Sequence, residues 1–212
     1  MALSYVPTRR RAAVAALWRL DVALGNALAG GREPMISRIK LAWWREALEK
    51  LDREKAPSEP VLQALAEHVL PFRVTGAELS GMEAGWEILL RPDPLTREDL
   101  RDYARARGGL LFRLTARLLG DEEEAMESPG SAWALVDLAR HSGNEADREA
   151  ALEAARAFGQ RRRWRAPLRP LGMLVVLAAR DAEPARPQWE EKGSPARMWR
   201  MLRHRLTGSS PF

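Results

Sequence analysis

Cysteine is absent from the 212 residues. Its absence excludes a disulfide framework, a thiolate metal site and a cysteine nucleophile, and it is compatible with a reducing compartment. Histidine is scarce, with three residues in all. His68 and His204 have no companions at metal-ligand or general-base spacing, and no phosphate-binding glycine loop, catalytic triad pattern or zinc spacing occurs. Long apolar runs are missing too: the longest, Leu171 to Ala179, is far shorter than the roughly 20 residues that a membrane-spanning helix needs. The opening MALSYVPTRRRAAVAAL lacks a clear secretory cleavage pattern. A cytoplasmic protein is the expectation, resting at most on a membrane surface. Lysine occurs only at positions 40, 50, 55 and 192, so arginine supplies nearly all of the positive charge. The net charge of +5 favours anionic partners, but arginine with abundant alanine is equally the mark of codon bias, and nucleic acid is not an expected partner.

What is present is helical periodicity. Apolar residues recur at three- and four-residue spacing almost throughout, and no segment alternates as a half-buried strand does. The chain reads as all-α, and with no sharp shift in composition it reads as one domain over 1–212. A first helix from about Thr8 to Ala29 is apolar on most sides and ends at Gly30-Gly31. A second, from Pro34 to about Lys55, is expected to bury Met35, Ile39, Trp43, Ala47 and Leu51 or their neighbours. Ser58 is expected to cap a third, which stops at Pro71. Thr75 to Glu78 and Thr96 to Asp99 read as N-terminal caps of two more, the second running through Tyr103, Leu111 and Leu118 to Gly120. Further helices are expected at about Gly130 to Ser142, Asn144 to Arg163 and Pro170 to Asp181. The acidic block Asp121 to Glu124 reads as a solvated loop or cap, and residues 182–194 as a connection to a short last helix, Pro195 to Leu206.

One stretch is more specific: EPMISRIKLAWWREALEKLD, from Glu33 to Asp52, where a tryptophan pair is followed at once by Arg45 and Glu46. Trp43 and Trp44 alone would fit ordinary core and rim packing. Taken with Leu79 to Glu83, Tyr103 to Gly120 and the order of helices from Ala16 to about Ala179, the stretch resembles the squalene/phytoene synthase family. The resemblance implies an isoprenoid synthase-type bundle of antiparallel helices around a central cavity, here shortened. It also implies chemistry in which two aspartate-rich segments on facing helices hold magnesium ions that grip an isoprenyl diphosphate. Carboxylates three or four residues apart share a helix face, and a hard cation takes oxygen ligands from them while bridging phosphate oxygens.

Position by position, most of those carboxylates are missing. The first segment falls at residues 24–29, where Gly25, Asn26 and Ala29 stand, and Asp21 lies one turn too early to replace it. Gly85 stands where a further aspartate is expected. The second segment falls at Ala132 to Glu145: Arg140 keeps the family's arginine, His141 and Glu145 stand for the first and last aspartates, and Asp137 replaces an asparagine one turn earlier. Asp137, His141 and Glu145 would share a face if the helix continued that far, but Gly143 and Asn144 are expected to end it, with Asn144 capping the next helix. Arg45, Asp137, Arg140, His141 and Glu145 are therefore the candidate ligand-binding residues, with no catalytic residue and no metal ligand assigned. The expected function is a non-catalytic binding or assembly role, similar to the branch of the family that includes mitochondrial respiratory complex I assembly factors. Its partners would be an isoprenoid diphosphate or lipid ligand, a partner protein or a peripheral membrane contact. One alternative is an active prenyltransferase on farnesyl or geranylgeranyl diphosphate, the one case in which magnesium is expected as cofactor. Another is a membrane-surface adaptor using the basic patch Arg161 to Arg165 with Arg197, Arg200, Arg203 and Arg205, although short arginine runs more often mark a solvated loop.

Overall fold

Side-chain caps start several helices where the sequence places them. Thr75 accepts a hydrogen bond from the Glu78 amide while the Glu78 carboxylate accepts from the Thr75 amide, which opens a helix from Gly76 to Ile88. Thr96 and Asp99 do the same for a helix beginning at Arg97. Asn144 accepts from the Ala146 and Asp147 amides at the head of another. In the computed structural model, which describes residues 2–29, 33–91, 94–121, 124–158, 162–183, 189–191 and 193–210, the α-helices are α1 Thr8–Leu28, α2 Pro34–Lys50, α3 Pro60–His68, α4 Gly76–Ile88 and α5 Arg97–Tyr103. They continue as α6 Leu110–Leu118, α7 Glu127–His141, α8 Glu145–Ala157, α9 Arg169–Asp181 and α10 Pro195–Thr207. A π-helical segment, Ala104–Gly109, joins α5 to α6. The one extended pairing among the described residues is antiparallel, Arg162 with Ser210 and Arg163 with Ser209.

The apolar residues of α1 point in several directions because that helix is central. Leu17, Leu20 and Leu24 are fully buried, and α1 packs on α2, α3, α4 and α6. Around it gather Leu41, Leu48, Leu62, Leu65, Leu79 and Met82. A second apolar cluster lies between α5, α7, α8 and α9, with Leu100, Tyr103, Leu135, Ala139, Ala151 and Ala178 buried. Trp133 of α7 packs against both clusters, 5.1 Å from Trp18 and 5.7 Å from Phe112 between ring centroids. Full burial of one such leucine is worth about 1.5–3 kcal/mol, so these clusters hold the bundle together.

Several boundaries differ from the sequence reading. Helix α2 stops at Lys50 because Asp52 turns to serve another helix, accepting from the Gly76 amide at 2.6 Å and the Ala77 amide at 3.0 Å at the head of α4. The cap of α3 is Glu59, whose carboxylate accepts from the Leu62 amide at 2.7 Å, rather than Ser58. Along α2, Ser37, Leu41 and Leu48 face inward while Met35, Ile39 and Trp43 are exposed; of the residues expected inside, Leu51 is buried and Ala47 packs against the core. Helix α8 ends at Ala157, and the chain returns at Arg162 to pair with Ser210. Gly30 and Gly31, and Pro184 and Pro187 of the connection, lie outside the described residues.

Candidate functional site

The buried stripe of the α5–α6 helix contains a guanidinium. Leu100, Tyr103, Leu111, Leu114 and Leu118 are buried as their spacing demands, and Arg107 stands among them, only 4% exposed. An isolated buried guanidinium is costly, so partners must meet it. Asp21 of α1 takes a bidentate pair, accepting from Arg107 Nε at Oδ1 and from Nη2 at Oδ2, each at 2.9 Å. Asp137 of α7 places Oδ2 2.8 Å from Nη2, and Nη1 donates to the Tyr103 hydroxyl. The Trp86 indole nitrogen donates to Asp21 Oδ1 at 3.2 Å, and the guanidinium carbon sits 4.1 Å from the centre of the Trp86 ring and 5.1 Å from that of Trp133. Burial pushes the Tyr103 phenol up to about 12, so it stays protonated. Burial alone would lower Arg107, but Tyr103, Asp21 and Asp137 outweigh it and hold the guanidinium charged.

Backbone shape puts this cation in place. The π-helical segment carries Arg107 with Gly108 and Gly109, and Gly108 lies directly against Gly130 of α7, where an added Cβ would meet the Gly130 carbonyl oxygen at 2.1 Å. That close crossing brings the Asp137 face of α7 to the guanidinium. The two glycines where aspartates are expected are filled from the other side. A Cβ at Gly85 would lie 2.7 Å from the Arg107 amide nitrogen, and a Cβ at Gly25 would lie 2.8 Å from the Trp86 ring. At these two positions packing against Trp86 and the Arg107 backbone stands where a side chain would go.

Above the network opens a cavity of about 850 Å³. Leu28, Leu89, Leu95 and Leu138 supply apolar wall, Arg107 and Asp137 reach it from below, and Gly25, Ala29, His141 and Asn144 stand around it. Both segments singled out in the sequence therefore meet at one cavity, but they do not form a clamp. Helix α7 ends at His141, with Ser142 extended behind it, so the face carrying Asp137 and His141 stops before Glu145. Glu145 instead begins α8, is exposed, and pairs with Arg148. His141 Nδ1 lies 2.8 Å from the Asp137 carbonyl oxygen and 3.5 Å from Asp137 Oδ1. Arg140 points away, to Asp181 at 2.8 Å and the Glu190 carbonyl at 2.7 Å, with its guanidinium over Trp189. Arg45 lies outside the cavity lining, 3.9 Å from Glu83, a carboxyl raised by burial and by Glu87 against the pull of Arg45. Among the described residues no three acidic or histidine side chains gather as a metal site, and with Asp137 committed to Arg107 the donor set does not fit a magnesium cluster.

The basic run is not a free patch either. Arg161 lies outside the described residues, Arg162 donates to the Ala125 carbonyl at 2.8 Å, Trp164 is buried, and Arg165 pairs with Asp121 at 3.2 Å. Sequence reading missed Arg107, Tyr103 and Trp86 as members of the site. Arg107 was visible as a cation at i+4 from Tyr103 and i−4 from Leu111 inside an apolar stripe, and Asp21 as the carboxylate on an otherwise buried helix face.

Comparison with known proteins bears on both family and fold. Residues 1–160 match the family model described as squalene/phytoene synthase. No curated protein matches the sequence. Among solved structures, a dehydrosqualene synthase in complex with ligand superposes with a TM-score of 0.58 at 17% identity, over 97% of this chain and 71% of that one. At that identity the likeness is one of fold: the all-α isoprenoid synthase arrangement.

Proposed function

The chain belongs to the squalene/phytoene synthase family, and we propose that it is a member that keeps the helical bundle and an apolar-walled cavity as a binding module and does not couple prenyl diphosphates. One observation carries the reading. Where diphosphate-gripping metals would need open carboxylates, Arg107 is already held between Asp21 and Asp137 in the cavity wall. Two carboxylates neutralised by a resident guanidinium have little capacity left for a divalent cation, and the opposite positions Gly25, Asn26, Ala29 and Gly85 carry none. Without metal to stabilise the departing diphosphate, ionisation of an allylic diphosphate loses its main electrostatic support.

The test is magnesium-dependent diphosphate release from folded protein offered farnesyl and geranylgeranyl diphosphates, with lipid extraction to detect coupled product. Release at the level of the protein-free blank supports the reading. Turnover overturns it, and its loss in Asp137→Ala and Glu145→Ala would then assign the clamp to those residues.

A further inference from the structure

Helix α10 is amphipathic twice over. Its inner side is fixed to the body: Met201 is buried, Arg197 pairs with Asp181, and the His204 ring packs edge-on against Trp164 at 6.2 Å. Ser194 caps its head, and Gly208, at φ 69°, closes its end. Its outer side carries Met198, Trp199, Leu202 and Leu206, all exposed, with Trp199 at 65% and Leu206 at 72%. At about 100° per residue these four make one stripe about 100° wide, roughly opposite the buried side. Arg203 and Arg205, both exposed, stand on either side of the stripe, and the guanidinium of Arg205 also rests 4.6 Å from the centre of the Tyr5 ring. The helix contains no acidic residue.

The geometry points to α10 as the face by which this protein lies on an anionic lipid surface. An apolar stripe with a tryptophan in it and arginines along both edges suits the boundary between headgroups and acyl chains, where long cationic side chains reach up to phosphate while their stems stay apolar. None of the described helices is long and apolar enough to cross a membrane, so the contact is one of lying on the surface. Charge separates this face from the other exposed apolar stripe. Helix α2 shows Met35, Ile36, Ile39 and Trp43 to solvent, but Glu46 and Glu49 accompany Arg38 and Lys40 on that helix, so it offers no single sign of charge to a membrane. Because α10 is already ordered and capped, lipid contact does not have to fold it first.

Co-sedimentation of the purified protein with vesicles tests this independently of the cavity and of any turnover. Binding is expected to phosphatidylcholine vesicles containing roughly one third phosphatidylglycerol, and to be at least about tenfold weaker on pure phosphatidylcholine or at high salt. Trp199→Ser with Leu202→Ser should weaken it by about tenfold or more while circular dichroism stays that of the parent, since both side chains are exposed. Arg203→Glu with Arg205→Glu should remove the salt-dependent part, and Met35→Ser with Ile39→Ser on α2 should leave binding as it was. Absence of binding to anionic vesicles overturns the proposal, as does full binding by the Trp199/Leu202 variant or equal loss in the α2 variant. A concentration-dependent dimer that the Trp199/Leu202 variant abolishes, without vesicle binding, would assign the face to a second copy and overturn it as well.

Discussion

Arg107 is 4% exposed and Met35 is 71% exposed, the reverse of where a guanidinium and a thioether ordinarily come to rest. In the first region every charged group has a partner: two carboxylates, a phenol and two indole faces surround one cation. In the second, α2 and α10 turn apolar stripes to solvent. The difference separates what folding uses from what folding leaves over. Inward charge is retained only where a complete set of partners offsets its desolvation, whereas outward apolar surface costs the isolated chain little and becomes useful only when something covers it.

The comparison breaks most visibly at Arg107. Arg107→Met should destabilise the protein by about 3–5 kcal/mol in denaturant unfolding, because Asp21 and Asp137 are left in or near the interior without their cation. Adding Asp21→Asn and Asp137→Asn should recover part of the loss; recovery of nothing would mean that shape, and not charge, sets the cost. A smaller effect follows at Gly85, where a new side chain meets the Arg107 backbone. Gly85→Asp should lose about 1–3 kcal/mol and gain no magnesium-dependent diphosphate release, although it restores a carboxylate that the family pattern expects.

A third effect depends on pH. Burial holds the His204 imidazole below its ordinary value of 6.5. The unfolded chain therefore takes up the proton first as pH falls, so the His204 contribution is whole above 6.5 and declines as pH drops from there toward the lower folded value. Thermal melts between pH 7.5 and 5.5 should show a loss that His204→Gln reduces; identical pH slopes for both proteins would refute it. The smallest effect belongs to the outer face of α2. Met35→Ser and Ile39→Ser should each shift unfolding free energy by less than about 0.5 kcal/mol, and a larger cost would show that the stripe is not a free surface.

Local chemistry in this sequence was readable and long-range pairing was not. Thr75 with Glu78, Thr96 with Asp99, and Asn144 advertise their caps within four residues, and the structure uses all of them. Gly120 ends its helix as read, at φ 86°. Asp52 gave no such sign, since the amides it caps lie 24 and 25 residues away. The inward side of α2 was ambiguous because both of its faces are apolar: Ala47 and Leu51 meet the core as read, whereas Met35, Ile39 and Trp43 do not. At the cavity, the missing carboxylates could be read position by position, but their replacement could not. Asp21 and Arg107 are 86 residues apart, and only the crossing of Gly108 with Gly130 brings α7 to them.

The π-helical segment has a genetic consequence. Such a segment amounts to one residue more than an α-helix would hold over the same length, and each residue of a helix turns its neighbours by about 100°. Deleting a single codon within 104–106, upstream of Arg107, would let the segment relax to ordinary α winding with α5 and α6 still in line, and would carry the guanidinium about 100° around the helix, away from Asp21. An in-frame loss that small reads as harmless in a sequence, yet here it would undo contacts on three helices at once.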